Sequence, residues 1–330
     1  MTARPDHPPI SRAVITIAVG KPVYLEYASN LARSFRHWHP QGDIEFHLVT
    51  DQQGEFDADL AFVRLHRTEP GSIGRSFTSK LHMDRFLVCD ETLFIDADCL
   101  CVGHLGPVFE KFAGRTFSLV GRKMTSGEHF GDIEERCRKV GVPWTVKFVG
   151  SVYFLRRGDR CTEILAFARG LEARYEELGL TRLRGSYNEE PLLGLAMGNF
   201  GEEPVAEDGT VKADLMFYGA RPKVDVYRGL ADLRNRPGSP KPYPEWQMPD
   251  AVMPRIVHFN ANWAESPPYT SEATRMRLVA ALHLPRWLAT AYTTAVMSWP
   301  HLLWSVAKDA FRPVYRRFFG YRKVKTSDRI

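Results

Sequence analysis

Asp96 and Asp98 stand one residue apart at the end of an apolar run, Leu93-Phe94-Ile95. A short apolar run bounded by polar residues fits a central parallel strand. In such sheets, ligands bind beyond the carboxyl ends of the strands. Two carboxylates held there repel each other unless something positive lies between them. A divalent cation meets that need, because hard oxygen ligands suit Mg²⁺ and Mn²⁺. A solvated strand-end turn, or an Asp capping the next helix, is the commoner source of such a tripeptide. Arg75 and Lys80 precede the strand. A cation there could meet a diphosphate held by the metal, although a lone Lys on a helix is usually solvated.

The elements that must position these groups follow from periodicity. Residues 13–19 form an apolar strand candidate, and Tyr24, Tyr27, Leu31 and Phe35 predict a helix over 23–38. Strands are predicted at 44–49 and 60–65. This β-α-β-β start implies a parallel sheet with helices packed on it. Gly20 permits close backbone approach after the first strand, and the following helix N-terminus favours anions. Tyr24 could stack on a base there or simply pack on the sheet. No G-x-G-x-x-G or Walker sequence is present, so neither a dinucleotide site nor a P-loop is supported. A helix is predicted at 77–88, strands at 116–120 and 147–155, and an amphipathic helix at 160–178. Glu189-Glu190-Pro191 opens a further apolar helix; a charged first turn suits the helix dipole. Short strands at 215–218 and 224–227 lie in a Pro- and Gly-rich stretch. A clean strand at 255–259 contains His258, and a lone His in a strand is usually structural.

The 330 residues, 44% hydrophobic and 25% charged, suffice for one large core or two domains. Five cysteines without C-x-x-C spacing suggest reduced thiols in a cytoplasmic compartment. The first nine residues lack the apolar core of a signal peptide. Net charge is +5, but residues 286–330 carry nine Lys/Arg and two Asp, so the other 285 residues net −2. The basic excess lies wholly in the tail and gives no sign of a nucleic-acid groove in the main body.

Thr78-Ser79-Lys80-Leu81-His82, followed by Phe94-Ile95-Asp96-Ala97-Asp98, resembles the glycogenin and lipopolysaccharide-galactosyltransferase type of glycosyltransferase. The likeness extends over roughly residues 13–263. It implies a GT-A fold, a three-layer α/β/α arrangement on a mixed sheet. It implies a metal-dependent transferase using a nucleotide-diphosphate sugar, with a UDP-sugar favoured and retention of configuration. Asp96, Asp98 and His258 match the ligands of Mn²⁺ or Mg²⁺. Tyr24 matches the base-stacking position, Val19 and Gly20 match backbone contacts to the base, and Ala97 lies within the donor-binding motif. Glu189 and Glu190 match an acidic pair that orients the sugar or faces its anomeric carbon. The family's Asn-Ser-Gly is Val149-Gly150-Ser151 here, and its downstream Gly-x-x-Lys-Pro-Trp is absent. Arg75 and Lys80 are therefore expected to take more of the phosphate-binding role.

Residues 287–307 contain no Asp, Glu, Lys or Arg, but several Thr and Ser make this stretch a poor membrane span. Beyond it, Lys308, Arg312 and Arg316 recur every four residues among Phe311, Tyr315, Phe318 and Phe319. Cations interleaved with aromatics suit an interfacial helix on anionic lipid; a packed helical hairpin with a solvated basic face is the alternative. The expected organisation is a glycosyltransferase domain over 1–265 and a basic aromatic helical tail over 266–330. The protein is expected to be cytoplasmic, peripheral at the inner membrane face through its tail, and to act on a glycan or lipid-linked acceptor. A catalytically degenerate GT-A binding module and a nucleotidyltransferase are the competing readings.

Overall fold

The computed structural model describes residues 11–54, 56–74 and 76–320. Along the chain, β1 (Arg12–Ala18), α1 (Pro22–Trp38), β2 (Glu45–Thr50), β3 (Arg64–Arg67) and β4 (Glu91–Ile95) build the first half of the main sheet. Then come β5 (Cys99–Cys101), α2 (Gly106–Lys111), β6 (Phe117–Leu119), β7 (Arg122–Met124), α3 (Ile133–Val140), β8 (Thr145–Lys147) and β9 (Val152–Arg156). Two helices follow, α4 (Asp159–Glu172) and α5 (Glu189–Phe200). The remaining strands are β10 (Lys212–Asp214), β11 (Lys223–Asp225), β12 (Leu230–Arg234), β13 (Ala251–Val252) and β14 (Ile256–His258). Three helices close the described chain: α6 (Tyr269–Ala280), α7 (Arg286–Thr293) and α8 (Trp299–Phe319).

The main sheet has strand order β3-β2-β1-β4-β9-β6. The first four strands are parallel, and β9 runs antiparallel to both β4 and β6. The chain leaves β1 towards β2 on one side and returns to β4 on the other. That reversal opens a crevice between the carboxyl ends of β1 and β4, the place where open α/β sheets bind ligands. Leu93, Phe94 and Ile95 are completely buried, as a strand covered on both faces requires. A second sheet, β10-β14-β5, sets Asp214 beside His258 and His258 beside Cys99 in register.

Four local expectations are corrected. The third strand starts at Arg64, and Ala58–Leu60 is a 3₁₀ turn. Ser76–Phe86 winds as 3₁₀ turns in place of a regular α-helix. The long strand expected over 147–155 breaks into β8 and β9 around Val149-Gly150-Ser151. Leu215–Phe217 is a 3₁₀ turn, and the strand lies just before it. The first, third and fourth are apolar runs too short to carry a period, and tertiary packing settled them.

Helix α5 lies against β8 through two glycines. A Cβ on Gly198 would stand 1.9 Å from the Trp144 carbonyl oxygen, and one on Gly194 would stand 2.6 Å from that of Val146. Gly170 in α4 has no heavy atom within 4 Å of its would-be Cβ. Gly170→Ala should therefore stabilise the protein by up to about 1 kcal/mol through helix propensity. Gly198→Ala should destabilise it by about 1–3 kcal/mol, because the obstacle is backbone and overpacking outweighs the propensity gain. Urea denaturation of the two variants measures both signs.

Candidate active site

Val19, Tyr24, Lys80, Asp96, Ala97 and Asp98 line one cavity of about 120 Å³ in the β1/β4 crevice. Gly20 forms the turn out of β1 at φ +87°, and its N–H donates to the Asp51 carboxylate at 3.0 Å. Tyr24 projects from the first turn of α1; burial, and then Asp98, raise its pKa. Arg75 lies outside the described residues.

Lys80 is buried, and its ammonium donates to Asp96 Oδ2 at 2.8 Å and the Gly150 carbonyl at 2.8 Å, with Glu189 Oε1 at 2.9 Å. Burial opposes its charge, but Asp96 and Glu189 outweigh burial and hold its pKa above the ordinary lysine value. The three ammonium hydrogens thus have three acceptors. Asp96 itself is pushed up by burial and by Asp98, against the pull of Lys80 and His258.

Asp98 Oδ1 faces His258 Nε2 at 3.2 Å, and the Asp98 carbonyl accepts the Phe259 N–H at 3.0 Å. The other ring nitrogen, Nδ1, meets Asp214 Oδ1 at 2.5 Å. Asp214 is held in turn by Lys212 at 2.7 Å, and both side chains are fully buried. Burial opposes the His258 charge, yet Asp98 and Asp214 lift its pKa to about 10. Asp214 falls to about 2, because Lys212 and His258 overcome its burial.

These groups fit a divalent cation. With Nδ1–H donated to Asp214, His258 would present its Nε2 lone pair beside the Asp98 carboxylate once an incoming cation displaces the Nε2 proton. A carboxylate behind a ligating His fixes its tautomer and orientation. Cys99 Sγ is within 4.8 Å of both, but burial raises its thiol well above the ordinary range. It stays a neutral thiol and is a poor partner for a hard cation. The Asp96 carboxylate is engaged by Lys80 and lies outside this group.

Glu189 and Glu190 occupy the first turn of α5, which Asn188 caps through the Glu190 N–H. Glu189 Oε1 accepts the Tyr153 hydroxyl at 2.8 Å. Glu190 Oε1 accepts the Gly150 N–H at 2.9 Å, and Oε2 lies 3.7 Å from His129 Nε2. A Cβ at Gly150 would stand 2.3 Å from the Tyr153 hydroxyl and 2.6 Å from Glu189 Oε1. A residue without a side chain is therefore what lets the two peptide groups flanking one Cα serve Glu190 and Lys80 together. Sequence reading missed Lys212, Asp214, Tyr153 and His129. The one available signal was Lys212-Ala213-Asp214, two opposite charges on one face of a strand-like triplet.

Burial, and then Glu189, push the Glu190 carboxyl up to about 8. The folded protein therefore holds a proton there that the unfolded chain releases near pH 4.5, so this group costs stability as pH rises towards 8. Glu190→Gln keeps an acceptor for Gly150 and removes the titration. Relative to wild type, the variant should gain on the order of 2–3 kcal/mol between pH 5 and pH 8. Parallel pH profiles in urea denaturation would refute the raised pKa.

No family model matches the chain, and no curated protein matches it. Among solved structures, the galactosyltransferase LgtC, crystallised with donor and acceptor sugar analogues, matches at 15% identity with a TM-score of 0.50. That match covers 82% of this chain and 95% of the other. The glycosyltransferase GlyE of Streptococcus pneumoniae TIGR4 matches at 16% identity over 60% of this chain and 46% of its own, with a TM-score of 0.37. The likeness to LgtC shows that this chain has the GT-A glycosyltransferase fold.

Proposed function

We propose that the protein is a metal-dependent glycosyltransferase that moves a sugar from a nucleotide-diphosphate donor, UDP-linked by preference, to a glycan or lipid-linked acceptor. The observation that carries this reading is the crevice between β1 and β4. There Val19 and Tyr24 stand across from Ala97 and Asp98 in a single cavity. Tyr24 offers an aromatic face for the base. Asp98 and His258, with Asp96 beside them, are the proposed holders of Mn²⁺ or Mg²⁺. Such an ion supplies Lewis-acid stabilisation of the diphosphate charge that develops on departure. Asp214 and Lys212 orient His258. Lys80 fixes Asp96 and Glu189 and keeps positive charge beside the carboxylates. Glu190, with a pKa near 8, is matched to proton transfer at neutral pH. Retention of anomeric configuration is the stereochemistry that the family resemblance implies, and the anomer of the product, read by NMR, checks it.

Asp98→Asn should lower Mn²⁺-dependent turnover at least roughly 100-fold while the unfolding midpoint stays close to wild type. His258→Ala should do the same to turnover; full activity in either protein removes that residue from the assignment. In calorimetry with Mn²⁺, UDP should bind more tightly than GDP or CDP. Tyr24→Ala should weaken UDP binding at least roughly fivefold, the low end of base–aromatic stacking.

For the tail, we infer attachment to an anionic membrane surface. No described helix is long and apolar enough to cross a membrane. Helix α8 has no buried residue, and Trp304, Phe311, Phe318 and Phe319 stand largely in solvent. An aromatic face beside cations suits the headgroup region. The full chain should co-sediment with phosphatidylglycerol vesicles at low salt and less at high salt. Trp304→Ala/Phe311→Ala should reduce that binding, and equal binding by the variant would remove the apolar face from the interaction.

A further inference from the structure

The polar side of the tail faces the body. Thr290, Thr294, Ser298, His301, Ser305 and Lys308 recur at three- or four-residue spacing, so they share one helical face. All six line a groove of about 530 Å³ between the tail and the β11–β12 hairpin. That volume is within the roughly 300–1,000 Å³ typical of small-ligand sites. Trp263, on the turn after β14, lines the same groove. The usual arrangement for a terminal helix is reversed here: the polar stripe is turned inward and the aromatic face outward.

The carboxylates of the groove are already occupied. Asp225 holds Arg275 at 2.6 Å, and Glu272 also pairs with Arg275. Asp309 holds Arg312 at 2.8 Å and reaches Arg221 across the groove at 3.5 Å. Lys223, Arg236 and Lys308 also line the groove, and among the described residues no carboxylate pairs with them. Lys223 and Arg236 come from the body and Lys308 from the tail. Three cations around one concave space favour an anion between them. Lys308 and Arg312 also border the aromatic surface formed by Trp304, Phe311 and Tyr315. An anion in the groove would thus lie beside the surface proposed to enter the lipid.

We propose that this groove binds the phosphate of an anionic lipid headgroup, clamped between Lys223 and Arg236 on the body and Lys308 on the tail. The proposal rests on the membrane reading of the tail given above and adds a defined headgroup site to it. The glycerol end of such a headgroup would find hydroxyl partners in Thr294, Ser298 and Ser305. A seated headgroup would fix how the body is oriented on the surface, which an aromatic face alone leaves free to rotate.

The test uses the full chain and a soluble short-chain phosphatidylglycerol, dihexanoyl, below its micelle concentration. Wild type should bind it saturably, one per chain, with inorganic phosphate at least roughly tenfold weaker. Lys223→Glu/Arg236→Glu should weaken dihexanoyl phosphatidylglycerol at least roughly tenfold, two cations at the membrane-surface scale. It should leave Mn²⁺-dependent hydrolysis of the donor in solution unchanged, which also shows that the variant is folded. Unchanged lipid binding in that variant overturns the groove site while vesicle binding through the aromatic face still stands. Equal affinity for inorganic phosphate overturns the lipid assignment in favour of a free-phosphate site. If wild type binds the short lipid but not vesicles, the headgroup site holds and the membrane reading of the tail fails on its own.

Discussion

The contact between Lys80 and its two carboxylates, Asp96 and Glu189, is the interaction on which the site depends. Each of the three would be costly to bury alone, and removing one partner from such a group strands the charge of the others. Five carboxylates, Asp96, Asp98, Asp214, Glu189 and Glu190, meet three cations, Lys80, Lys212 and His258, around one crevice. The imbalance is met in part. Glu190 keeps its proton to about pH 8, and His258 holds its second proton between two aspartates until a cation takes that place. The excess of negative charge is what a divalent cation would complete, so the same electrostatics that constrain folding favour the proposed ligand.

Topology makes that concentration of charge possible. The reversal of strand order at β1 and β4 opens the crevice, and β5, β14 and β10 bring Asp98, His258 and Asp214 side by side. Gly150 joins this arrangement to α5, with its carbonyl on Lys80 and its N–H on Glu190. The body extends past residue 265: Tyr269 at the start of α6 is buried, packs edge-on to Tyr27 and accepts a hydrogen bond from Asn30. Helix α8 leaves that body with its aromatic face in solvent. Aromatic side chains left exposed in this way are the feature on which the proposed membrane attachment of the tail rests.

Much of the fold was legible in the sequence because its signals are local. The buried apolar run before Asp96, bounded by polar residues, and the helical spacing after Gly20 are signals that do not depend on distant residues. The short segments at 147–155 and 215–218 had no such period, and packing decided them. The Asp-Ala-Asp triplet pointed to the crevice because the end of a parallel strand is where ligands approach. His258 stood out through the family resemblance, since a lone histidine in a strand carries no chemical label.

The sequence by itself determined the longer strands and helices with a clear local pattern, and which carboxylates lie at a strand end. Tertiary structure alone decided their partners. Lys80 meets Glu189 across 109 positions and His258 meets Asp214 across 44. No periodicity reports such pairs, because register between strands and the angle of a helix set them. The direction of the tail's two faces was decided in the same way. Its amphipathic pattern is plain in the sequence, but a pattern fixes only that the faces differ. Which face turns inward depends on the cations and carboxylates across the groove, and those come from a hairpin some 80 residues earlier in the chain.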